Sequence, residues 1–377
     1  MKIAIIGGGI FGLYSSVELL KSGYTVELFE QGPNLGLGAT KVNQARLHLG
    51  YHYPRSKKTA LQCIKGFQKF TSRFPSAVNK DFIQYYAISK ENSKTSAEEY
   101  IEFCRELNLP HEIEVLPSNI LNKDKVQLNI RALEYSFDWK VIVNILSQEI
   151  KQLGGVINTS YKLISADFSN KKLNFQTPNF IHTDNFDIII NATYSNLNGI
   201  NELLGAPIID MEYELCEMAI VKVPKEYSNI GITIMDGDFT SIMPFGLSGY
   251  HSISNVRRTP HEKSKSALPE FSCNSDNEIC SKNNLNICLN CPFKPKSWFD
   301  YMVEFAQLYI PWASRVEFVE SLIAVKAIPS KVDETDERPS SIIQFEKFKG
   351  YYCIFSGKVD TVIDIAEELV LKIKSIS

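Results

Sequence analysis

Long hydrophobic runs are missing from this chain of 377 residues. No apolar stretch approaches the roughly 18 residues a membrane-crossing helix needs, so no membrane span is expected. The opening MKIAIIGGGIFGLY is apolar, but glycines break it and it has no A-x-A-like cleavage site. It reads as a buried strand, not a signal peptide. An excess of one charge sign is missing too: 40 Lys and Arg face 43 Asp and Glu, a net charge of −3. That balance argues against a nucleic-acid partner and against a polybasic membrane patch. No internal repeat is visible. Histidine is scarce, at six residues, whereas eight cysteines without a secretion signal point to reduced thiols in a cytoplasm. The length suits one large α/β domain or two domains sharing a core.

What is present begins at residue 2. Lys2 to Ile6 read as a short buried strand, and Gly7, Gly9 and Gly12 form G-x-G-x-x-G at the turn after it. Ile10, Leu13, Val17 and Leu20 recur at helical spacing until Gly23, and Thr25 to Phe29 form a second strand ending in Glu30. Each part has a physical task. Gly7 permits a tight turn, Gly9 lets backbone approach a pyrophosphate, and Gly12 lets helix and strand pack closely. The helix N-terminus offers free N–H groups to phosphates. Glu30 accepts hydrogen bonds from a ribose hydroxyl pair, and its charge disfavours a 2′-phosphate. The unit binds a dinucleotide, with NAD and FAD both open at this point.

Further along, helices are expected at 57–76, in KTSAEEYIEFCRELNLP and at 138–154, with strands at 81–89 and 186–193. Strands dominate from Met211 to Arg258. Residues 260–297 are polar and aperiodic, so an exposed insertion is expected there. A hairpin in IIQFEKFKGYYCIFSGK and a helix from Thr361 to about Ile373 close the chain. The charge cluster KVDETDER reads as a solvated turn, and His111 and His182 as surface residues. Cys273, Cys280, Cys288 and Cys291 fall within nineteen residues. The first pair is spaced more widely than the usual zinc pair, so free thiols in a mobile insertion are expected and no metal is assigned.

Several segments taken together resemble the D-amino-acid oxidase superfamily of flavoenzymes, with glycine oxidase and sarcosine oxidase. They are the N-terminal motif, GATKVNQAR, FDWKVIVNIL, DIIINAT, DGDFTSIMPFG with HSISNVRRTPH, and FSGKVDTVIDIAEEL. The resemblance implies an α/β fold: a glutathione-reductase-type FAD-binding Rossmann domain with an interleaved β-sheet-rich substrate domain. Residues 1–80, 138–205 and 320–377 would form the first, and 81–137 and 206–319 the second. It implies non-covalent FAD, since Cys353 falls inside the last strand and not in the flavin loop. FAD contacts are implied for Gly7, Gly9, Ile10, Phe11, Gly12, Glu30, Gln31, Thr40, Asn43, Gln44, Arg46, Ala192 and Thr193. Gly357, Lys358, Val359, Asp360 and Thr361 would meet the flavin's N1–C2=O side.

The scarce histidines then gain meaning. NQARLHLGYHYPRS, residues 43–56, holds two of the six, with two arginines and two tyrosines. The resemblance runs this stretch along the flavin toward a small-molecule substrate. His48 or His52 would take a hydroxyl proton or orient a neutral amine. Arg46 or Arg257 would hold a carboxylate or phosphate bidentately. The family's substrate arginine has two competitors here, Lys326 in VKAIP and Arg338 in ERPSS. The expected activity is oxidation of a C–N or C–O bond by hydride transfer to flavin N5. A redox-neutral isomerase or mutase on a sugar or sugar nucleotide is the alternative, and a nucleotide-binding partner protein with a degenerate site is a third. The electron acceptor is not assigned by these residues.

Overall fold

A computed structural model describes residues 1–275, 279–330 and 339–375. The expected solvated turn at 331–338, Arg338 included, lies outside the described residues.

The first strand, Lys2–Ile6, sits inside a six-stranded sheet. In order across it run Ser341–Gln344, Tyr351–Phe355, Ile188–Asn191, Lys2–Ile6, Thr25–Glu30 and Val156–Thr159. All neighbours are parallel except the first pair, the hairpin expected from the sequence. A strand buried on both faces sends alternate residues to opposite sides. Ile3 and Ile5 join Leu13, Val17, Ile142, Leu146, Ile365 and Leu369 in one core. These come from the helices Ile10–Lys21, Trp139–Gln152 and Val362–Lys374. Ala4 and Ile6 instead join Phe29, Leu163, Phe175 and Leu197 in a second core. That core lies under a three-stranded antiparallel sheet, Lys162–Asp167, Lys172–Gln176 and Ile181–Asn185. Each buried Leu or Ile contributes roughly 1.5–3 kcal/mol, so this sandwich fixes the turn after Ile6 firmly.

A nine-stranded sheet forms the other large unit. Its longest members, Met211–Lys222 and Glu317–Pro329, pair antiparallel along their whole length. Pro260–Ser264 and His251–Asn255 share the other edge of Met211–Lys222. Thr240–Pro244, Ile230–Met235, Ile83–Ser89, Val126–Ala132 and His111–Ile113 follow in that order. A small sheet of Arg46–His48, Glu134–Phe137 and Val78–Asn79 joins the two units. No helix among the described residues is long and apolar enough to cross a membrane.

Three expectations need correcting. Residues 320–329, assigned to the nucleotide unit from the sequence, are part of Glu317–Pro329 and belong to the nine-stranded sheet. Glu317 to Glu320 are all exposed, Phe318 and Val319 included, so no alternation announced the strand. The segment 260–297 is not a detached insertion: its first five residues pair with Met211–Lys222, and Phe271 and Leu285 are buried in the second core. His182 is likewise half-buried, with its ring 5.5 Å from that of Tyr161.

Candidate active site

At the end of Lys2–Ile6 the chain must turn sharply between strand and helix. Gly7 has φ +112°, and a Cβ there would lie 2.6 Å from the Ala192 carbonyl oxygen. Gly12 leaves room of another kind: a Cβ would lie 2.0 Å from the Gly7 carbonyl oxygen, so the helix rests on the turn itself. Gly9 precedes the helix in extended conformation, and the Ile10 N–H donates to Thr40 Oγ1 at 3.0 Å. The Glu30 carboxylate accepts from the N–H groups of Gly8 (2.8 Å) and Gly32 (2.7 Å). Burial pushes this carboxyl up against the pull of those N–H groups.

Bare backbone at Gly7 and Gly9 and the helix N-terminus line a cavity of about 900 Å³, large for a small-molecule site. It runs from Glu30, Gln31 and Tyr161, past Thr40 and Thr193, to His48, His52 and Lys358. A long cavity with an acid at one end and a helix dipole along it fits a dinucleotide with a large second group. Of the expected cofactor contacts, Gly7, Gly9, Ile10, Phe11, Glu30, Gln31, Thr40, Asn43, Gln44, Arg46, Ala192, Thr193, Gly357, Lys358, Val359 and Asp360 line it. Gly12 and Thr361 do not. Gly12 packs behind the turn, and Thr361 bonds the Lys358 carbonyl oxygen and caps the last helix.

The far end is built around the loop 357–361. Ser340 Oγ accepts from the N–H groups of Gly357 (2.9 Å) and Lys358 (3.3 Å) and lies 2.6 Å from Thr361 Oγ1. Lys358 Nζ sits 4.2 Å from the Tyr53 ring centroid and 2.8 Å from Cys63 Sγ. Burial, opposed by the Lys358 charge, raises the Asp360 carboxyl to about 6. Nearby, the rings of His48 and His52 meet edge to face at 5.0 Å. The Gly50 N–H donates to His48 Nδ1 (3.2 Å), which leaves the ring proton on Nε2. His52 packs between Tyr86 and Phe239, and its Nε2 is buried without a hydrogen-bond partner among the described residues. Burial first, then the charges of Lys358 and Arg46, hold both imidazoles well below the ordinary histidine range. Both rings are therefore neutral at pH 7.

The cations expected to meet a substrate anion are engaged elsewhere. Arg46 is buried and bonds Glu134 through Nε (2.6 Å) and Nη2 (3.2 Å), Tyr86 Oη (3.0 Å), Thr233 Oγ1 (2.9 Å) and Ser241 Oγ (3.3 Å). Its fork already holds a protein carboxylate, so it has none left for a substrate. Arg257 is a further correction: it pairs with Asp238 at 2.5 Å, is largely exposed and does not line the cavity. Lys326 does line it, but it shares Glu214 with Lys263, each at 3.0 Å. Burial resists ionisation of Glu214, yet the two lysines hold its carboxyl down to about 2.

Arg46→Ala is therefore expected to act on stability. It strands Glu134, whose side chain is 0% exposed, as an unpaired buried carboxylate. Breaking such a pair costs about 3–5 kcal/mol, readable by urea unfolding, and Glu134→Gln in the same chain should recover part of it. An unchanged midpoint would contradict the tether.

Sequence reasoning missed Tyr53, Phe239, Glu214 and Ser340. Tyr53 stood in the histidine-rich stretch, while the others come from distant segments. It also missed the strap 284–288, which lines the cavity and whose Leu285 carbonyl oxygen accepts from Gln31 Nε2 at 2.8 Å. One trio of metal-ligating types, Glu27, His182 and Asp184, lies within 4.8 Å among the described residues. Lys2 Nζ already bonds both carboxylates and serves as their cation.

A sequence profile of the DAO family, FAD-dependent oxidoreductases, matches residues 2–241. The FAD-dependent monooxygenase FPY4 of Fusarium mangiferae is 24% identical over 99% of this chain and 90% of its own. The FAD-dependent monooxygenase kojA of Aspergillus flavus is 27% identical over 100% of this chain and 86% of its own. Among solved structures, glycine oxidase from Bacillus cereus superposes with TM-score 0.69 at 13% identity, over 100% of this chain and 95% of that one. L-α-glycerophosphate oxidase from Mycoplasma pneumoniae, with FAD bound, gives 0.70 at 14%, over 98% and 93%. These likenesses show the fold: an FAD-binding Rossmann-type unit with a sheet-rich second unit.

Proposed function

We propose that this chain, which belongs to the DAO family of FAD-dependent oxidoreductases, oxidises a small polar substrate without a carboxylate, taking a C–O bond in preference to C–N. The observation that carries this reading is the His48–His52 pair. Both rings are neutral and line the cavity, and His52 Nε2 is buried without a hydrogen-bond partner among the described residues. Arg46, by contrast, spends its Nε–Nη2 fork on Glu134, and Lys326 shares a carboxylate.

Bound FAD supplies the hydride acceptor. The chain's residues do the rest. His52 accepts the hydroxyl proton as the C–H bond breaks, and His48 donates from Nε2 to a substrate oxygen. Tyr53 and Phe239 give the carbon skeleton apolar walls. Burial, and after it the charges of Arg46 and Lys358, keep both imidazoles unprotonated, so the base is ready at neutral pH. A hydroxyl substrate needs such a base. An amine would have to arrive already neutral. The thiols fit a cytoplasmic setting, where they stay reduced.

The relatives' names favour a second reading, a monooxygenase, a reaction that would need a separate electron donor such as a nicotinamide. Anaerobic mixing separates the two. Flavin bleaching by a neutral polyol or sugar is expected, with amino acids and hydroxy acids inert. Bleaching by NADH or NADPH alone would move the assignment to the second reading. Bleaching by carboxylates alone would overturn the argument from engaged cations.

A further inference from the structure

Half of the chain's eight cysteines lie in the segment that packs beside the dinucleotide cavity. Cys288 and Cys291 have the spacing of a zinc pair, whereas Cys273 and Cys280 are further apart in sequence than such pairs usually are. All four line a single pocket of about 20 Å³, together with Ile279, Ile287 and Lys294. That volume is close to one atom-sized sphere. No disulfide joins the four.

We infer that these four side chains are the ligands of one structural zinc ion. Zinc suits the set: it takes four thiolates tetrahedrally at about 2.3 Å and needs no open position in a structural site. Binding exchanges four S–H protons for the ion, which leaves a Zn(S-Cys)₄ centre of charge −2. Lys294 on the pocket wall offsets part of that charge. The Asn286 N–H already donates to Cys280 Sγ at 3.4 Å, a contact that strengthens when the sulfur ionises. Cys288 and Cys291 sit at the two ends of one tight turn, where the Cys291 N–H donates to the Cys288 carbonyl oxygen (3.2 Å). No three of the sulfurs lie within the 4.8 Å that encloses the Glu27 trio, so ligation draws the side chains inward. Cys273 and Cys288 each sit in a short 3-10 helix, Ser272–Asn274 and Cys288–Asn290.

The position gives the ion a task. Asn286, Ile287 and Cys288 line both the cysteine pocket and the dinucleotide cavity. Leu285, one residue before them, is held by Gln31, the residue after Glu30. Zinc thus staples the strap 284–288 across the Glu30 end of the cavity and favours retention of FAD.

The test uses the full-length holoprotein, purified without chelator and analysed by plasma mass spectrometry. About one zinc per chain is expected, as a single four-cysteine site requires. Titration with an organomercurial should release it as four thiols react, a readout that needs no variant to fold. C288S/C291S should lose the zinc and hold less FAD per chain. Zinc-free protein with full FAD, iron with labile sulfide, or zinc that survives in C288S/C291S would each overturn the assignment.

Discussion

Gly9→Val is expected to give a folded protein that purifies without flavin. The backbone at Gly9 is extended, a conformation valine adopts freely, and a Cβ there meets nothing nearer than Thr40 Oγ1 at 3.3 Å. The Thr40 side chain must give by a few tenths of an ångström to admit it, and the valine methyls fill the space above the helix N-terminus where a pyrophosphate must come. Flavin occupancy should fall at least about tenfold, because a diphosphate kept off the N–H groups loses its main polar partners. Gly12→Val should be worse, since its Cβ would lie 2.0 Å from the Gly7 carbonyl oxygen and push the helix off the turn. Circular dichroism and the flavin spectrum, recorded together, separate the two effects. A yellow Gly9→Val protein at full occupancy would contradict the cradle.

His52→Gln should leave flavin binding intact and slow flavin reduction by about 10²–10⁴, the range a positioned general base contributes. Glutamine keeps the polar side chain but cannot take the proton. Stopped-flow reduction under anaerobic conditions reads the effect, and a rate within a factor of about three of wild type would remove His52 from this role. The pH profile carries a second signature. Burial, then the charges of Arg46 and Lys358, hold the His52 imidazole well below 6.5, so the base stays unprotonated below the ordinary histidine range. The acid limb of flavin reduction should therefore lie below pH 6.5. The same shift bears on stability with a definite sign. Because the folded chain binds these protons less tightly than the unfolded one, burying neutral His48 and His52 costs nothing above the unfolded value. Stability is lost as pH falls below 6.5, where the unfolded histidines take up protons.

The dinucleotide unit was legible in the sequence because its signal is local. Strand, glycine turn, helix and acid follow one another within thirty residues, and each constrains its neighbour. The proximity of His48 and His52 has a similarly local origin. Four residues apart in a chain poor in histidine, they meet in one wall of the cavity. The partners of the cations were not legible in the sequence. Arg46 finds Glu134 across a small sheet, 88 positions away, and no local pattern marks that pairing. Arg257 looked like a site residue until Asp238, on the adjoining turn, claimed it. The cysteines show the converse. Their spacing in sequence argued against a metal, but spacing measures chain length and not distance. Turns bring four such side chains to one pocket that linear arithmetic cannot register.

The central claim is that this cavity holds FAD without a covalent bond. Cys353 lies buried in strand Tyr351–Phe355, away from the loop 357–361. Acid precipitation of the purified protein, with chromatography of the supernatant and the pellet, tests the claim directly. FAD at about one per chain is expected, all of it in the supernatant. A pellet that stays yellow, or a protein that takes up no FAD even on incubation with it, would contradict the account.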